Sequence, residues 1–206
     1  MTDLLHRLNR IRHANAWIFG TMLVSSALSL IASFVLSVEA ITLAENPNAE
    51  LSCNINTVIS CGTVASSWQS HLFGFPNAFL GLIAEPVVIT IAVASLGGVR
   101  FPRWFMFCAQ VVYTLGLALA YWLFYQSMFH IGALCPWCLL VTVSTTLVFA
   151  TLTHVNIRAN NLYLPAPIQS ALAAGIRANL DLVTVVIWML ILILAIVTKY
   201  GDQILG

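Results

Sequence analysis

The chain has 206 residues, of which 60% are hydrophobic and only 7% are charged. A soluble globular domain carries roughly a quarter charged residues, so this composition excludes a water-soluble fold and predicts an integral membrane protein. The net charge of +1 says nothing useful about partners. We expect the lipid bilayer as the surroundings and no nucleic-acid binding.

The first 13 residues, MTDLLHRLNRIRH, form a basic and partly amphipathic lead-in. We expect them to lie at the lipid headgroups as a positive anchor for the first helix. The apolar run that follows is too long for the apolar region of a signal peptide and has no small-residue cleavage site behind it. The sequence therefore predicts no cleaved signal peptide.

Five segments are long and apolar enough, or nearly so, to cross a bilayer as helices, which takes about 20 residues each. These predicted transmembrane helices are 16–43, 77–97, 104–129, 135–154 and 182–200. A long loop, 44–76, follows the first helix, and the connection 155–181 has room for a short interfacial helix. We predict an all-α membrane protein with a single membrane domain, 1–206.

The basic residues predict how the chain is oriented. If five helices cross the membrane, seven of the eight Lys and Arg residues fall on one side: Arg7, Arg10, Arg12, Arg100, Arg103, Arg158 and Arg177. Only Lys199 falls on the other side. Cytoplasmic loops collect Lys and Arg, so we predict a cytoplasmic N-terminus, an outer C-terminus and an outer loop 44–76.

Four of the five cysteines then face an oxidising compartment, where thiol–disulfide chemistry is at home. Cys53 and Cys61 lie in the outer loop, and Cys135 and Cys138 open the fourth helix. Pro136 favours the first helical position, which puts Cys135 near the N-cap. Unpaired backbone N–H groups and the helix dipole there stabilise a thiolate, the reactive form of cysteine.

Three interpretations of these cysteines remain open from the residues alone. A static disulfide in Cys-x-x-Cys closes a small ring and would stabilise the fold little, because stabilisation grows with the length of the closed loop. A zinc site is disfavoured because seven residues separate Cys53 from Cys61, whereas zinc ligands usually pair at short spacing, and we predict no metal. Two redox pairs on one face favour a relay that passes electrons through mixed disulfides.

The stretches SCNINTVISCG, the Ser66-Ser67 pair, GFPNAFLGL and GALCPWC together resemble the vitamin K epoxide reductase family, most closely its bacterial, disulfide-forming branch. The resemblance covers roughly 38–153. It implies a four-helix bundle around a quinone of the menaquinone, ubiquinone or phylloquinone class, joined here by a fifth helix. It also implies the inner (plasma) membrane of a bacterium, with the active site on the extracytoplasmic face.

The same resemblance implies a role for each site residue. Cys138 would face and reduce the quinone, Cys135 would form a mixed disulfide with Cys61, and Cys53 would take electrons from a thioredoxin-like partner. Two further residues are implied, Asn77 as hydrogen-bond donor to a quinone oxygen and Ser67, less surely Ser66, as a loop hydroxyl near the active site.

Two departures from the family pattern refine the expected activity. Animal members carry a tyrosine four residues after the second cysteine of Cys-x-x-Cys, whereas this chain has Thr142, which is compatible with quinone-only chemistry. Many bacterial relatives carry a fused thioredoxin-like domain after the bundle. We expect none here, so the thiol partner is predicted to be a separate secreted or membrane-anchored protein.

Other candidate residues have simpler interpretations. We expect Glu85 to be a protonated or hydrogen-bonded carboxyl beside Pro86, Glu39 to be a solvated or interfacial cap, and Cys108 to be a small buried residue. We expect His71 and His130 to be surface histidines. The aromatic and aliphatic side chains of SSWQSHLFGF are expected to form a short interfacial helix that acts as a lid.

The sequence therefore predicts a membrane thiol oxidoreductase that oxidises a secreted thioredoxin-like carrier and reduces a membrane quinone. One alternative is an enzyme of the same fold that reduces vitamin K epoxide or quinone for another purpose. The other alternative is a membrane scaffold with structural disulfides.

Overall fold

The computed structural model describes residues 12–51, 53–55 and 58–205. Apart from Arg12 and His13, the basic lead-in lies outside the described residues. The helices, in chain order, are α1 (Asn15–Glu45), α2 (Cys61–Ala65), a 3₁₀ turn (Trp68–His71), α3 (Ala78–Leu96), α4 (Arg103–Gln126), a π-helical turn (Ser127–Ile131), α5 (Pro136–Arg158), α6 (Ala166–Arg177) and α7 (Leu180–Leu205).

Five of these helices, α1, α3, α4, α5 and α7, are long and apolar enough to cross a membrane. They follow one another in the predicted order, and their ends differ from the predicted ends by at most five residues. The chain is an all-α membrane protein, as its composition indicates. The short helix predicted in the connection 155–181 is α6.

Helices α1, α3, α4 and α5 form a four-helix bundle in which α1 packs against both α3 and α5, and α4 packs against α5. The main apolar cluster at this junction includes Met22, Val88, Ile91, Val148 and Leu152. At the α1–α3 contact a Cβ added to Gly81 would come within 2.8 Å of the Ser33 Cβ. Glycine at this position therefore lets the two backbones approach closely.

Helix α7 lies outside this bundle, and no residue of its most apolar 18-residue stretch is buried in the protein. At its start, Asp181 accepts a hydrogen bond from Arg12 at 2.6 Å and pairs with His154 at 2.7 Å. Near its end, Lys199 and the Tyr200 hydroxyl both donate to the Met128 carbonyl, which lies in the π-helical turn. The helix is thus fastened to the bundle near both of its ends.

One buried carboxyl group and one buried side-chain amide are hydrogen-bonded inside the bundle. Glu85 is 4% exposed and accepts a hydrogen bond from the Tyr113 hydroxyl at 2.7 Å, so the expected hydrogen-bonded carboxyl is confirmed. Asn156 is fully buried and donates to the Met106 carbonyl and to Gln110 Oε1, at 3.1 and 3.0 Å. Because buried polar groups are costly when unpaired, both residues specify how α4 packs on its neighbours.

Replacement of Asn156 by leucine is expected to lower the free energy of unfolding by about 2 kcal/mol, because the Met106 carbonyl and Gln110 lose their buried partner. Unfolding of the purified protein in mixed micelles measures this loss. The matched control is Thr198→Val, which removes a polar group on exposed helix surface whose hydroxyl bonds within α7. Equal stability of the Asn156 variant and the wild type would contradict the prediction.

One expectation about the helices is wrong. Cys108 is an exposed free cysteine on α4 and is not buried. Since lipid solvates apolar side chains as well as the protein interior does, a small apolar residue in a membrane helix has no strong tendency to face inward.

Candidate active site

Two short backbone segments that precede cysteines lie side by side. The Leu134 N–H donates to the Val58 carbonyl at 2.7 Å, and the Ser60 N–H donates to the Leu134 carbonyl at 3.0 Å. These bonds make a parallel bridge between Ile59 and Leu134. Cys61 comes two residues after Ile59, and Cys135 directly follows Leu134. The bridge therefore brings together two cysteines that are 74 positions apart in the chain.

Both cysteines also lie at helix beginnings. Ser60 caps α2 by accepting the Thr63 N–H, and Cys61 is the first residue of that helix. Cys135 is the N-cap of α5, with Pro136 at the first helical position, and its sulfur accepts the Cys138 N–H at 3.3 Å. The N-cap position predicted for Cys135 is confirmed, and the helix start supplies its sulfur with N–H donors.

The four cysteines form a continuous series of sulfur contacts. Cys53 and Cys61 are joined in a disulfide, and Cys135 and Cys138 are free. The Cys135 sulfur lies 3.2 Å from that of Cys61. A thiol so close to a disulfide is in position for thiol–disulfide exchange, which proceeds through a mixed disulfide.

Apolar side chains enclose most of this centre. Cys61 and Cys135 are 1% and 2% exposed, whereas Cys138 is partly accessible. The surrounding side chains come from α1, the loop and α5, and they are Leu36, Leu43, Leu51, Val64 and Trp137. Exclusion of water strengthens the electrostatic interactions inside the cluster.

The pKa of the Cys135 thiol is lowered below its usual value. The main cause is the hydrogen bond that the Cys138 thiol gives to the Cys135 sulfur, and the backbone N–H groups of Cys138 and Trp137 add to it. Burial and the nearby Glu39 carboxyl act in the opposite direction. Cys135 is therefore the more readily ionised member of an exchange-competent pair.

Replacement of Cys138 by alanine is expected to raise the pKa of Cys135, because the principal donor to its sulfur is lost. A thiolate is present above its pKa, so alkylation of Cys135 by iodoacetamide will need a higher pH in the variant than in the wild type. Mass spectrometry of the Cys135 peptide across a pH series measures this shift. Cys138→Ser, which keeps a hydroxyl donor, is the matched control and should remain closer to the wild type. An unchanged pH profile in the alanine variant would contradict the assignment.

The two loop residues implied by the family resemblance bond within the loop. The Ser67 hydroxyl donates to the Val64 carbonyl at 2.6 Å, and Ser66 is exposed. The Asn77 side chain donates to the Gln69 carbonyl at 2.7 Å and accepts the Leu72 N–H at 3.2 Å. In this structure, then, both side chains hold the loop that follows α2.

The lid and the two histidines lie at the surface. The short helix expected in SSWQSHLFGF is the 3₁₀ turn Trp68–His71, and the side chains of Trp68 and Phe73 are 66% and 54% exposed. His71 and His130 are exposed, as expected. The interfacial function of the turn stays a prediction.

Sequence reasoning missed one residue of the cluster. The sequence predicts that Glu39 is a solvated or interfacial cap, and this prediction is wrong: Glu39 is 7% exposed, and its Oε1 and Oε2 lie 3.3 and 3.6 Å from the Cys53 sulfur. Leu36 and Leu43, which pack on the sulfurs, lie three residues before and four residues after Glu39. Their helical spacing puts all three on one face of α1, which is the signal that was available in the sequence.

Glu39 also completes a group that has the composition of a metal site. Its carboxylate oxygen and the sulfurs of Cys53 and Cys61 lie within 4.8 Å of one another. The two sulfurs are joined in a disulfide, whereas zinc binds thiolates. In the state described, this group therefore offers no thiolate to a metal.

Apolar spanning helices and two adjacent cysteine pairs, one oxidised and one reduced, define a multi-pass membrane thiol oxidoreductase. The model of the vitamin K epoxide reductase family matches residues 21–153, which include most of α1, both cysteine pairs and most of α5. The chain belongs to this family, so the resemblance of its motifs to the family is confirmed, whereas its bacterial branch stays a prediction. No curated protein matches the chain significantly.

Proposed function

We propose that this protein oxidises a thioredoxin-like dithiol protein on the outer side of a bacterial plasma membrane and reduces a membrane quinone. The observation that carries the proposal is the Cys135 thiol 3.2 Å from the sulfur of Cys61 in the Cys53–Cys61 disulfide. A scaffold with structural disulfides has no need of a free thiol at exchange distance from one of them.

The first half of the cycle concerns the loop pair. A partner thiolate attacks the Cys53 sulfur, forms a mixed disulfide with it and releases Cys61 as a thiolate. The second partner thiol then attacks the partner's own sulfur in that mixed disulfide and releases Cys53. The partner leaves as a disulfide, and Cys53 and Cys61 are left reduced by two electrons.

The second half passes those electrons to the helix pair. The Cys61 thiolate attacks Cys135 in a Cys135–Cys138 disulfide and releases Cys138. Cys53 then attacks Cys61, which re-forms the loop disulfide and releases Cys135. The result is an oxidised loop pair beside a reduced helix pair, and this is the state that the sulfur contacts describe.

A quinone, when bound, supplies a two-electron, two-proton acceptor for the helix pair. Cys138 is the partly accessible member of that pair and is the residue proposed to face it. The donor chemistry of Asn77 fits, because its amide uses one N–H for the Gln69 carbonyl and keeps the second for an oxygen acceptor. We assign Asn77 to quinone binding and Ser67 to loop support.

Thr142 favours a quinone over an epoxide as the electron acceptor. It is 5% exposed, and its hydroxyl donates to the Cys138 carbonyl one turn earlier at 2.9 Å. A hydroxyl held within the helix in this way is not directed at an acceptor beside Cys138. Activity on vitamin K epoxide with no activity on quinones would favour the alternative enzyme.

The ends of the bundle support an extracytoplasmic site. Arg12 and Arg158 lie at the end where α1 begins, and Arg158 donates to the His13 carbonyl there. The cysteine pairs lie near the other end, where Lys199 contacts the Met128 carbonyl. Because Arg and Lys accumulate on the cytoplasmic side, the sulfurs are assigned to the outer face, where oxidising conditions favour disulfides.

The experiment uses the purified protein in lipid nanodiscs with a reduced thioredoxin-like protein as electron donor. We expect quinol to form in a one-to-one ratio with donor disulfide, both with ubiquinone and with menaquinone analogues offered separately. No quinol formation with any quinone of these classes would overturn the proposal. Mass-spectrometric mapping of the resting cysteines in the same sample identifies the disulfides that take part.

A further inference from the structure

We propose that Glu39 is a catalytic residue that exchanges a proton with Cys53 each time the loop disulfide opens and closes. The inference rests on the proposed function, because it assigns the proton acceptor for one step of that cycle. Its basis is the contact between the Glu39 carboxyl and the Cys53 sulfur at 3.3 Å.

The surroundings of Glu39 leave the carboxyl few other partners. It is 7% exposed near the outer end of α1, and no Lys, Arg or His among the described residues forms an ion pair with it. The titratable groups that face it are the loop pair Cys53–Cys61 and the two thiols of the helix pair. A buried carboxylate without a cation is expensive, so this position is suited to a carboxyl that gains and loses a proton.

The redox state of Cys53 decides which atom can donate a hydrogen bond across this contact. A sulfur in a disulfide carries no hydrogen, so a hydrogen bond between Cys53 and Glu39 in this state has to be donated by the carboxylic acid. When Cys53 is a thiol, the direction reverses and the thiol donates to the carboxylate. The same two atoms thus remain hydrogen-bonded in both redox states, with the proton on opposite sides.

The proton balance follows the cycle. When Cys53 attacks Cys61 in the Cys61–Cys135 disulfide, its proton moves to the Glu39 carboxylate, the Cys53–Cys61 bond forms and Cys135 leaves as a thiolate. When the partner's second thiol displaces Cys53 from the mixed disulfide, Cys53 leaves as a thiolate and takes the proton back from the carboxylic acid. Over one cycle Glu39 returns to its starting state, and no further oxidant is needed.

The test measures the reactivity of Cys53 alone. Protein in nanodiscs, with both cysteine pairs reduced, is alkylated with iodoacetamide between pH 6 and 8, and the Cys53 peptide is quantified by mass spectrometry. A thiol that loses its proton to solvent reacts about tenfold faster for each pH unit below its pKa. A thiol that passes its proton to a neighbouring carboxylate shows a shallower slope over the range in which that carboxylate is ionised.

We expect the wild type to show the shallow slope, at less than about threefold per pH unit, and Glu39→Gln to show the steep slope of about tenfold. Glu39→Asp keeps a carboxyl and should retain the shallow slope at least in part. The matched control is Glu85→Gln, which changes a similarly buried carboxyl that accepts a hydrogen bond from Tyr113 and, among the described residues, has no hydrogen bond to a sulfur. Near-ultraviolet circular dichroism of each variant checks that the fold is retained.

A Glu39→Gln slope equal to that of the wild type would overturn the inference, and so would loss of the shallow slope in Glu85→Gln as well. The assay contains neither quinone nor protein partner. A contrary result in the alkylation assay therefore disproves only the role of Glu39. The absence of quinol in the nanodisc experiment disproves the proposed function.

Discussion

Replacement of Cys138 by alanine is expected to abolish quinone-dependent thiol oxidation, with a loss on the order of 10³-fold or more in turnover. Cys138 is the accessible member of the helix pair, and Cys135 has no other cysteine with which to form the Cys-x-x-Cys disulfide. Without that disulfide, Cys61 has no acceptor to which it can pass electrons. The initial rate of quinol formation with a reduced thioredoxin-like donor is the measurement.

The same variant also separates the proposed enzyme from a scaffold. Its loop disulfide is intact at the start, so at most one equivalent of donor should be oxidised per protein before the reaction stops. Cys108→Ala, which removes the exposed free thiol of α4, is the control and should turn over at the wild-type rate. Sustained turnover by the Cys138 variant would refute a relay through the helix pair.

Replacement of Leu134 by proline is expected to slow electron transfer from the loop pair to the helix pair by about 100-fold. Proline removes the N–H that donates to the Val58 carbonyl at 2.7 Å, one of the two bonds that hold Cys61 beside Cys135. A displacement of about 1 Å between reacting atoms is enough for a loss of this size. Rapid mixing with the reduced donor, followed by acid quenching and disulfide mapping, gives the rate.

Leu134→Ala provides the comparison for this variant, because it keeps the backbone N–H and removes only the side chain that packs with Val58, Met128 and Tyr200. Any loss caused by packing appears in both variants, and the loss caused by the missing hydrogen bond appears only in the proline variant. Equal rates in the two would mean that the backbone bridge does not position the cysteines.

Much of the fold follows from local rules. The apolar runs predict five helices in their correct order, because a chain inside a bilayer has to satisfy its backbone within each helix. The N-cap position of Cys135 follows from Pro136 alone. Both features depend on short-range sequence, and the structure has both.

The details of the site depend on tertiary structure that these rules do not reach. The bridge between Ile59 and Leu134 joins segments far apart in the chain, and neither segment has the alternating pattern that predicts a strand. Glu39 is an acidic residue near a helix end, which favours solvent, yet the long loop folds over it. Cys108 faces outward because lipid removes the penalty for exposing an apolar side chain.

The attachment of α7 has a consequence for how the protein matures. The Met128 carbonyl, which Lys199 and Tyr200 bind, lies shortly before the segment that pairs with Val58 and Ser60. Helix α7, which follows the four bundle helices in the chain, therefore supports the backbone that aligns Cys61 with Cys135. Biogenesis is thereby linked to redox competence, because this support for the thiols is in place only once α7 has been inserted beside the bundle.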